Sequence, residues 1–274
     1  MKKLISLGYV IGLAFLLASC VGSIMNNEDD NNGSGSDVSN YEPGAIPGIG
    51  SAEGELTGTP FVLPEGVSII GDIAANGSSY GYWNFSEAKD YQITNKDGSV
   101  TTGQILPKTN RNDSLTYHYF GSGSGLVELI IPLHNSNNNS VTVTFPAALV
   151  VRNVAGNCQN GILLKKAVVV IPANSDYYLN LSFYCANLTK DTPGESDLYT
   201  FAVVSDADPL LELCDMLKNK KINIEEFDPT KTEDQTTFET QAAMLQLIVW
   251  AVTDSTGLSG IYNTYVNSLP NSES

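Results

Sequence analysis

Gln246 is a polar residue in a part of the chain where a polar side chain needs an explanation. It is the single polar residue in the run 242–252. A helix that is apolar on all sides is buried on most of them, and burying a carboxamide without partners costs roughly 1–3 kcal/mol. Gln246 is therefore hydrogen-bonded, or it faces the surface, or its amide has been consumed in a bond.

Cysteine thiols are the other side-chain groups in the chain that could form covalent bonds. Of the four cysteines in the chain, Cys158, Cys185 and Cys214 lie beyond the N-terminal region 1–54. In an oxidising compartment an odd number leaves at least one thiol unpaired, or bonded to something other than cysteine. The ordinary interpretations are one disulfide with one buried thiol, or three buried thiols, because cysteine is often a core residue.

The N-terminus indicates export and lipid attachment. Two lysines precede the apolar stretch 4–17, which is too short and wrongly flanked for a stable membrane span. The stretch ends in Leu-Ala-Ser-Cys at residues 17–20, which resembles the bacterial lipobox. The resemblance implies a signal peptide over residues 1–19 and acylation, including palmitate, at Cys20. Such chains hold a protein at a membrane without a transmembrane helix.

Residues 20–54 are predicted to form a flexible tether that begins at the lipidated cysteine. An Asn-rich acidic run at 26–32 leads into Gly-Ser repeats at 33–36, with no apolar periodicity. The acidic run resembles the surface-export signal of Bacteroidota lipoproteins, which implies an outer-membrane protein that faces the cell exterior. Loss of the leader lysines changes the net charge from −16 to −18. That charge opposes nucleic-acid binding and docking on anionic lipid through basic patches.

The region 55–204 carries the pattern of an all-β domain. Short runs of β-branched and aromatic residues are separated by turn residues roughly every 8–12 positions, which predicts an antiparallel, Ig-like β-sandwich. Runs at 126–131 and 141–145, joined by an Asn-rich loop, predict a β-hairpin. Residues 55–120 either belong to this sandwich or form a separate unit.

Residues 205–274 switch to helical periodicity and predict a small helical bundle packed on the sandwich. Asp208 is a candidate N-cap for a first helix, and Thr236 with Glu239 forms a candidate capping box for the apolar helix that holds Gln246. A short amphipathic helix is expected over 261–269. The fold class is therefore mainly β with a C-terminal α subdomain, an α+β architecture.

Two sequence blocks, in order, resemble those of bacterial thioester domains. The first is an aromatic-Cys…Pro…Tyr block, here Tyr184-Cys185, Pro193 and Tyr199. The second is the family's Thr-Gln-any-Ala-Ile-Trp block, here Leu245-Gln246-Leu247-Ile248-Val249-Trp250. This chain departs from the second pattern where Leu245 replaces Thr and Ile248 replaces Ala.

The resemblance implies a surface adhesin with an internal covalent bond. In these domains the thiol joins the glutamine side-chain carbonyl, ammonia leaves, and the thioester acylates an amine on a host protein. Carried over, Cys185 is the thiol and Gln246 the acyl donor. Trp250 and Tyr184 would shield the bond from water.

Two alternatives remain open. Tyr80, Tyr82 and Trp83 form an aromatic cluster that would stack on a glycan if exposed, although core filling also explains such residues. The chain could also be a purely structural envelope component. His118 and His134 lack neighbours at metal-ligand spacing. The sequence therefore predicts no metal, no cofactor and no enzymatic turnover.

Overall fold

The structure is a computed structural model. It describes residues 41–76, 89–94, 100–105, 118–195, 197–228 and 231–273, which belong to one compact unit. The predicted lipid site at Cys20 and the aromatic cluster of Tyr80, Tyr82 and Trp83 lie outside the described residues, and both stay predictions.

Strands occupy most of the described chain before residue 205. In chain order they are β1 (Thr59–Pro60), β2 (Val67–Ile69), β3 (Ile73–Ala75), β4 (Lys89–Thr94), β5 (Val100–Ile105), β6 (His118–Gly121), β7 (Val127–Asn135), β8 (Val141–Phe145), β9 (Leu149–Asn153), β10 (Gly161–Ile162), β11 (Ala167–Ile171), β12 (Ser175–Cys185) and β13 (Leu198–Val204). Helices follow as α1 (Asp208–Leu217), a 3-10 turn (Ile224–Glu226), α2 (Thr232–Asp254) and α3 (Gly260–Ser268). The expected class, mainly β with a C-terminal helical part, is confirmed.

Six strands close into a barrel-like antiparallel ring. Its order is β3–β7–β12–β10–β9–β13, and β13 pairs again with β3. Alternate residues of β12 point into the ring, so that Leu181, Phe183 and Cys185 lie in its apolar interior. The helices pack on the opposite face of β12 and β10, against residues such as Tyr184 and Ile162. Cys185 is therefore the last residue of β12, the longest strand of the ring, and its side chain faces the interior.

This pairing differs from the predicted Ig-like sandwich, because six strands close into one ring, and β8 and β11 form a separate two-stranded sheet that packs on the same core. The predicted hairpin is also wrong. Strand β7 is already paired on both edges, with β12 on one side and with β2 and β3 on the other, so β8 pairs with β11. Buried Asn135 ends β7, and its Nδ2 donates to backbone carbonyls of Asn139, Ile171 and Pro172.

The helices match the prediction in number and approximate position but not in their caps. Helix α2 begins at Thr232, so Thr236 lies within the helix and the capping box predicted there with Glu239 is wrong. Asp208 is the first residue of α1 and Ala207 is its N-cap. None of the helices among the described residues is long and apolar enough to cross a membrane.

The folded unit starts earlier than the predicted tether boundary at residue 54. Ile46 and Ile49 are each 1% exposed and lie in the core between sheet and helices. The backbone of this segment is tied down as well, since Gly44 N–H donates to Val252 O (2.9 Å) and Gly50 N–H to Ala186 O (2.7 Å). Isolated apolar residues among glycines and prolines have neither helical nor strand periodicity, so the sequence pattern does not reveal them.

A substitution at Gly123 tests how closely the loop between β6 and β7 approaches β12. A Cβ at this position would lie 2.3 Å from Ser182 Oγ and 2.6 Å from Phe183 O. We expect Gly123→Ala to lower the free energy of unfolding by about 1–3 kcal/mol, measured by urea titration. Gly260→Ala is the matched control, because nothing lies within 4 Å of its Cβ position. Equal stabilities of the two variants would contradict the close contact between this loop and the strand.

Candidate functional site

The side chain of Gln246 is hydrogen-bonded to the backbone of Cys185, 61 residues earlier in the chain. Cys185 N–H donates to Gln246 Oε1 (2.9 Å), and Gln246 Nε2–H donates to Cys185 O (2.9 Å). Both residues are buried, with 0% and 3% exposure. Of the three fates that the sequence left open for this carboxamide, the structure displays the hydrogen-bonded one.

These two hydrogen bonds replace a missing strand neighbour. Successive residues of a strand direct their backbone polar groups to opposite edges. Ala186 N–H bonds Asn160 O on the β10 side, so the groups of Cys185 point toward the β7 side. Pairing with β7 ends at Phe183–Val127, two residues before Cys185. The Gln246 amide, with one donor and one acceptor in the spacing of a peptide group, therefore fills the position that β7 no longer occupies.

Ser124 is a third member of the site, and sequence reasoning missed it. Its Oγ–H donates to Gln246 Oε1 (2.6 Å), and the residue is 9% exposed. The sequence Gly-Ser-Gly-Ser-Gly at 121–125 is typical of a turn or hinge. The structure instead buries this loop between β6 and β7. The absence of a side chain at Gly123 lets the loop pass against β12, which a polar, glycine-rich pattern does not by itself reveal.

The thiol of Cys185 has two polar neighbours. Trp250 Nε1–H donates to the sulfur (3.4 Å), and the S–H donates to Asn187 O (3.4 Å). Burial raises the pKa of this thiol to about 12, against the weaker opposing effect of the hydrogen bond that Trp250 donates to the sulfur. Cys185 is therefore protonated at neutral pH, and any reaction as a nucleophile requires its proton to leave.

Asp254 lies at the outer side of this arrangement, half-buried at the end of α2. Its Oδ2 accepts from Thr253 Oγ1–H (2.7 Å) and from Leu188 N–H (3.4 Å). The N–H of Leu188 and the carbonyl of Asn187 belong to one peptide group, which thus links the carboxylate to the thiol. Burial raises the pKa of Asp254 above its ordinary value.

The other residues predicted for the site are distributed as follows. Trp250 contacts the sulfur, but Tyr184 is buried on the opposite face of β12, among the residues packed on the helices. Cys158 and Cys214 are buried and, like Cys185, unpaired, so the described chain contains no disulfide. His134 Nδ1 lies 2.6 Å from Asp176 Oδ1 at the surface. No group of residues that could hold a metal ion is present in the described ranges.

Comparison of the chain with protein-family models, with curated proteins and with solved structures finds no match. The assignment of function therefore depends on the geometry of the site itself.

Gln246→Leu tests the structural role of the carboxamide. The substitution leaves Cys185 N–H and C=O without partners, and each unsatisfied buried group costs about 1–3 kcal/mol. We expect the free energy of unfolding to fall by about 2–4 kcal/mol in a urea titration. The parent protein and the Gln246→Leu variant both carry Cys185→Ala, so that no reaction of the thiol affects the comparison.

Gln241→Leu is the matched control for this prediction. Gln241 is also buried in α2, and its Oε1 has no hydrogen-bond partner among the described residues. We expect this variant to be as stable as the parent or more stable. A Gln246→Leu protein that is no less stable than Gln241→Leu would show that the two bonds to Cys185 contribute little.

Glu225 anchors the start of the loop that carries Ser124. Its Oε2 accepts from Gly121 N–H (2.9 Å), and its Oε1 accepts from Asn223 Nδ2–H (2.9 Å). Desolvation by burial raises the pKa of Glu225 from 4.5 to about 7, and the nearby Glu226 adds to the increase. The folded state therefore holds a proton on this carboxyl group that the unfolded state releases at lower pH.

This shift predicts how stability depends on pH. Because the folded pKa lies above the unfolded one, the free energy of unfolding falls as pH rises from 4.5 to about 7, by at most about 3 kcal/mol. Glu225→Gln does not titrate, and we expect its urea-derived stability to lack this decrease. Other titrating groups are common to both proteins and cancel in the difference. Parallel stability curves for the two proteins would rule out the raised pKa.

Proposed function

We propose that this chain is a cell-surface lipoprotein that attaches covalently to amines through a thioester between Cys185 and Gln246. The observation that carries the proposal is the contact between these residues. One lies at the end of β12 and the other in α2, and their side chains and backbone meet in a buried site. The resemblance of the two sequence blocks to thioester domains indicated the same two residues, and it did so independently of their distance in the structure.

Formation of the bond joins Cys185 Sγ to Gln246 Cδ and breaks the bond from Cδ to Nε2. The thiol proton moves to the nitrogen, which leaves as ammonia. No oxidant, metal or cofactor is required, because the reaction exchanges one acyl bond for another. Burial of both residues supports the proposal, since exclusion of water protects a thioester from hydrolysis.

Transfer to a target replaces the bond between sulfur and carbon with a bond between carbon and the nitrogen of the target. A primary amine attacks Gln246 Cδ, an amide bond forms, and Cys185 leaves as the thiol after receiving one proton from the amine. Thiolate is a better leaving group than an amide nitrogen, so the thioester is the more reactive acyl donor. The contact of Trp250 Nε1 with the sulfur supports a shielding role for this ring. Each molecule reacts once, so the protein is an adhesin and not an enzyme.

Anchoring completes the proposed role. Acylated Cys20 would hold the chain in the outer membrane, with the acidic run at 26–32 directing it to the cell exterior. A covalent bond made on one side and a lipid anchor on the other would tether the cell to a protein amine on a host or neighbouring cell.

Labelling with methylamine tests this proposal on the mature lipoprotein extracted in detergent. If the thioester is present, methylamine converts Gln246 to its N-methyl amide, and the peptide that contains Gln246 gains ~14 Da. A thiol becomes titratable at Cys185 at the same time. We expect this label in the wild type and its complete loss in Cys185→Ala, as measured by tandem mass spectrometry of the digested protein.

Cys214→Ala and Cys158→Ala are the controls, because both remove a buried thiol elsewhere and should leave the labelling unchanged. An unlabelled Gln246 in freshly prepared wild-type protein, with all three thiols titratable in denaturant before the amine is added, would refute the covalent mechanism.

A further inference from the structure

We propose that the hydroxyl of Ser124 and the backbone N–H of Cys185 form an oxyanion hole for the side-chain carbonyl oxygen of Gln246. The inference rests on the proposed thioester chemistry and adds to it a catalytic residue from a distant loop. Ser124 lies 122 residues before Gln246 in the chain and belongs to neither of the two sequence blocks.

Both donors point at the same oxygen. Ser124 Oγ lies 2.6 Å from Gln246 Oε1, and Cys185 N lies 2.9 Å from it. The orientation of the amide is fixed by its partners, because Cys185 N–H can only donate and Cys185 C=O can only accept. The oxygen therefore faces both donors, while Nε2 faces the carbonyl. Two preorganised donors on one carbonyl oxygen are the arrangement that stabilises the tetrahedral intermediates of acyl transfer.

The loop that presents Ser124 is held in place on both sides of the residue. Gly121 is fixed by the carboxylate of Glu225, and Gly125 has a φ of 78°, a backbone conformation that favours glycine. Gly123 lies against the backbone of Phe183. A hydroxyl fixed by its backbone does not have to reorganise when charge develops on the oxygen beside it.

Both proposed steps develop charge at this oxygen. In bond formation the sulfur adds to Gln246 Cδ, the carbonyl electrons move onto Oε1, and the carbonyl re-forms as ammonia leaves with the thiol proton. In transfer the amine nitrogen adds to the same carbon, and the carbonyl re-forms as sulfur leaves with a proton from the amine. The hydrogen bonds to Oε1 strengthen as the oxygen becomes negative, so they stabilise each transition state more than the resting carbonyl.

The burial of the site adds to the effect. Ser124, Cys185 and Gln246 are each less than a tenth exposed, so water does not compete for the oxygen. A hydrogen bond to a developing charge is stronger in such surroundings than in water. The Ser124 donor can be removed by substitution, whereas the Cys185 donor is a backbone group.

Ser124→Ala and Ser122→Ala provide a matched pair of variants. Ser122 is a fully buried serine of the same loop, and its Oγ has no hydrogen-bond partner among the described residues. The experiment measures the rate at which methylamine labels Gln246 in the mature protein, divided by the amount of thioester at the start. That amount is the fraction of the intact protein whose mass is lower by ~17 Da, the ammonia lost when the bond forms. Melting temperatures are measured in parallel.

We expect Ser124→Ala to react about 100- to 1,000-fold more slowly than the wild type, and Ser122→Ala to react at the wild-type rate. The fold should persist in both, because Gln246 Oε1 keeps the N–H of Cys185 as a donor. Ser124→Thr retains the hydroxyl and should recover most of the rate. A folded Ser124→Ala protein that contains no thioester, with the bond restored in Ser124→Thr, would also support the proposal because formation uses the same oxygen.

Three results would overturn the proposal, and they can be distinguished. If the wild type and Ser124→Ala are labelled equally fast, the oxyanion assignment is wrong while the thioester stands. If the wild type itself is not labelled, the thioester and the assignment fail together. A Ser124→Ala protein that is less stable but reacts at the wild-type rate would make Ser124 a purely structural residue.

Discussion

The carboxamide of Gln246 completes the hydrogen bonding of β12 at the point where its neighbour β7 ends. An unpaired backbone group at this buried position would cost as much as a lost hydrogen bond, so some polar group has to fill it. A glutamine on a helix that crosses the strand end meets the requirement with one donor and one acceptor. The contact also fixes where α2 packs against the barrel-like ring.

The same contact also underlies the reactivity proposed for the site. Pairing with the backbone of Cys185 brings the amide of Gln246 to the residue that carries the thiol, so one geometry serves both the fold and the proposed bond. The sulfur is further oriented by Trp250 on α2 and by Asn187 beyond the strand. Structural and chemical roles are therefore not competing explanations here.

Polar groups at this site come from parts of the chain that are far apart in sequence. The loop 121–125 contributes Ser124, and the segment around Gly50 bonds the backbone at Ala186. Both segments lie close to a neighbouring backbone at a glycine, which has no side chain to keep the two backbones apart. A Cβ at Gly50 would lie 1.9 Å from Thr253 O, and a Cβ at Gly123 would collide with β12. Dense packing of backbone on backbone excludes water and leaves the carboxamide with protein partners.

The sequence by itself determined the local features and, with them, much of what the tertiary structure then had to arrange. The alternation of β12, the apolar face of α1 and the buried character of the helix with Gln246 follow from periodicity, which depends on residues close together in the chain. The resemblance in two short blocks singled out Cys185 and Gln246 as a pair. The predicted hairpin was wrong because the competition of β12 for β7 is not encoded in a short window. The predicted capping box was wrong because α2 begins at Thr232, one turn before Thr236.

Only the tertiary structure decided how those features meet. Closure of the strands into a ring, in place of a sandwich, depends on pairings between segments far apart in the chain, such as β3 with β7 and β3 with β13. The role of Ser124 and the burial of Ile46 and Ile49 depend on backbone approaches that leave no periodic signal. Composition and pattern specify which residues must be buried, whereas long-range packing specifies which of them touch.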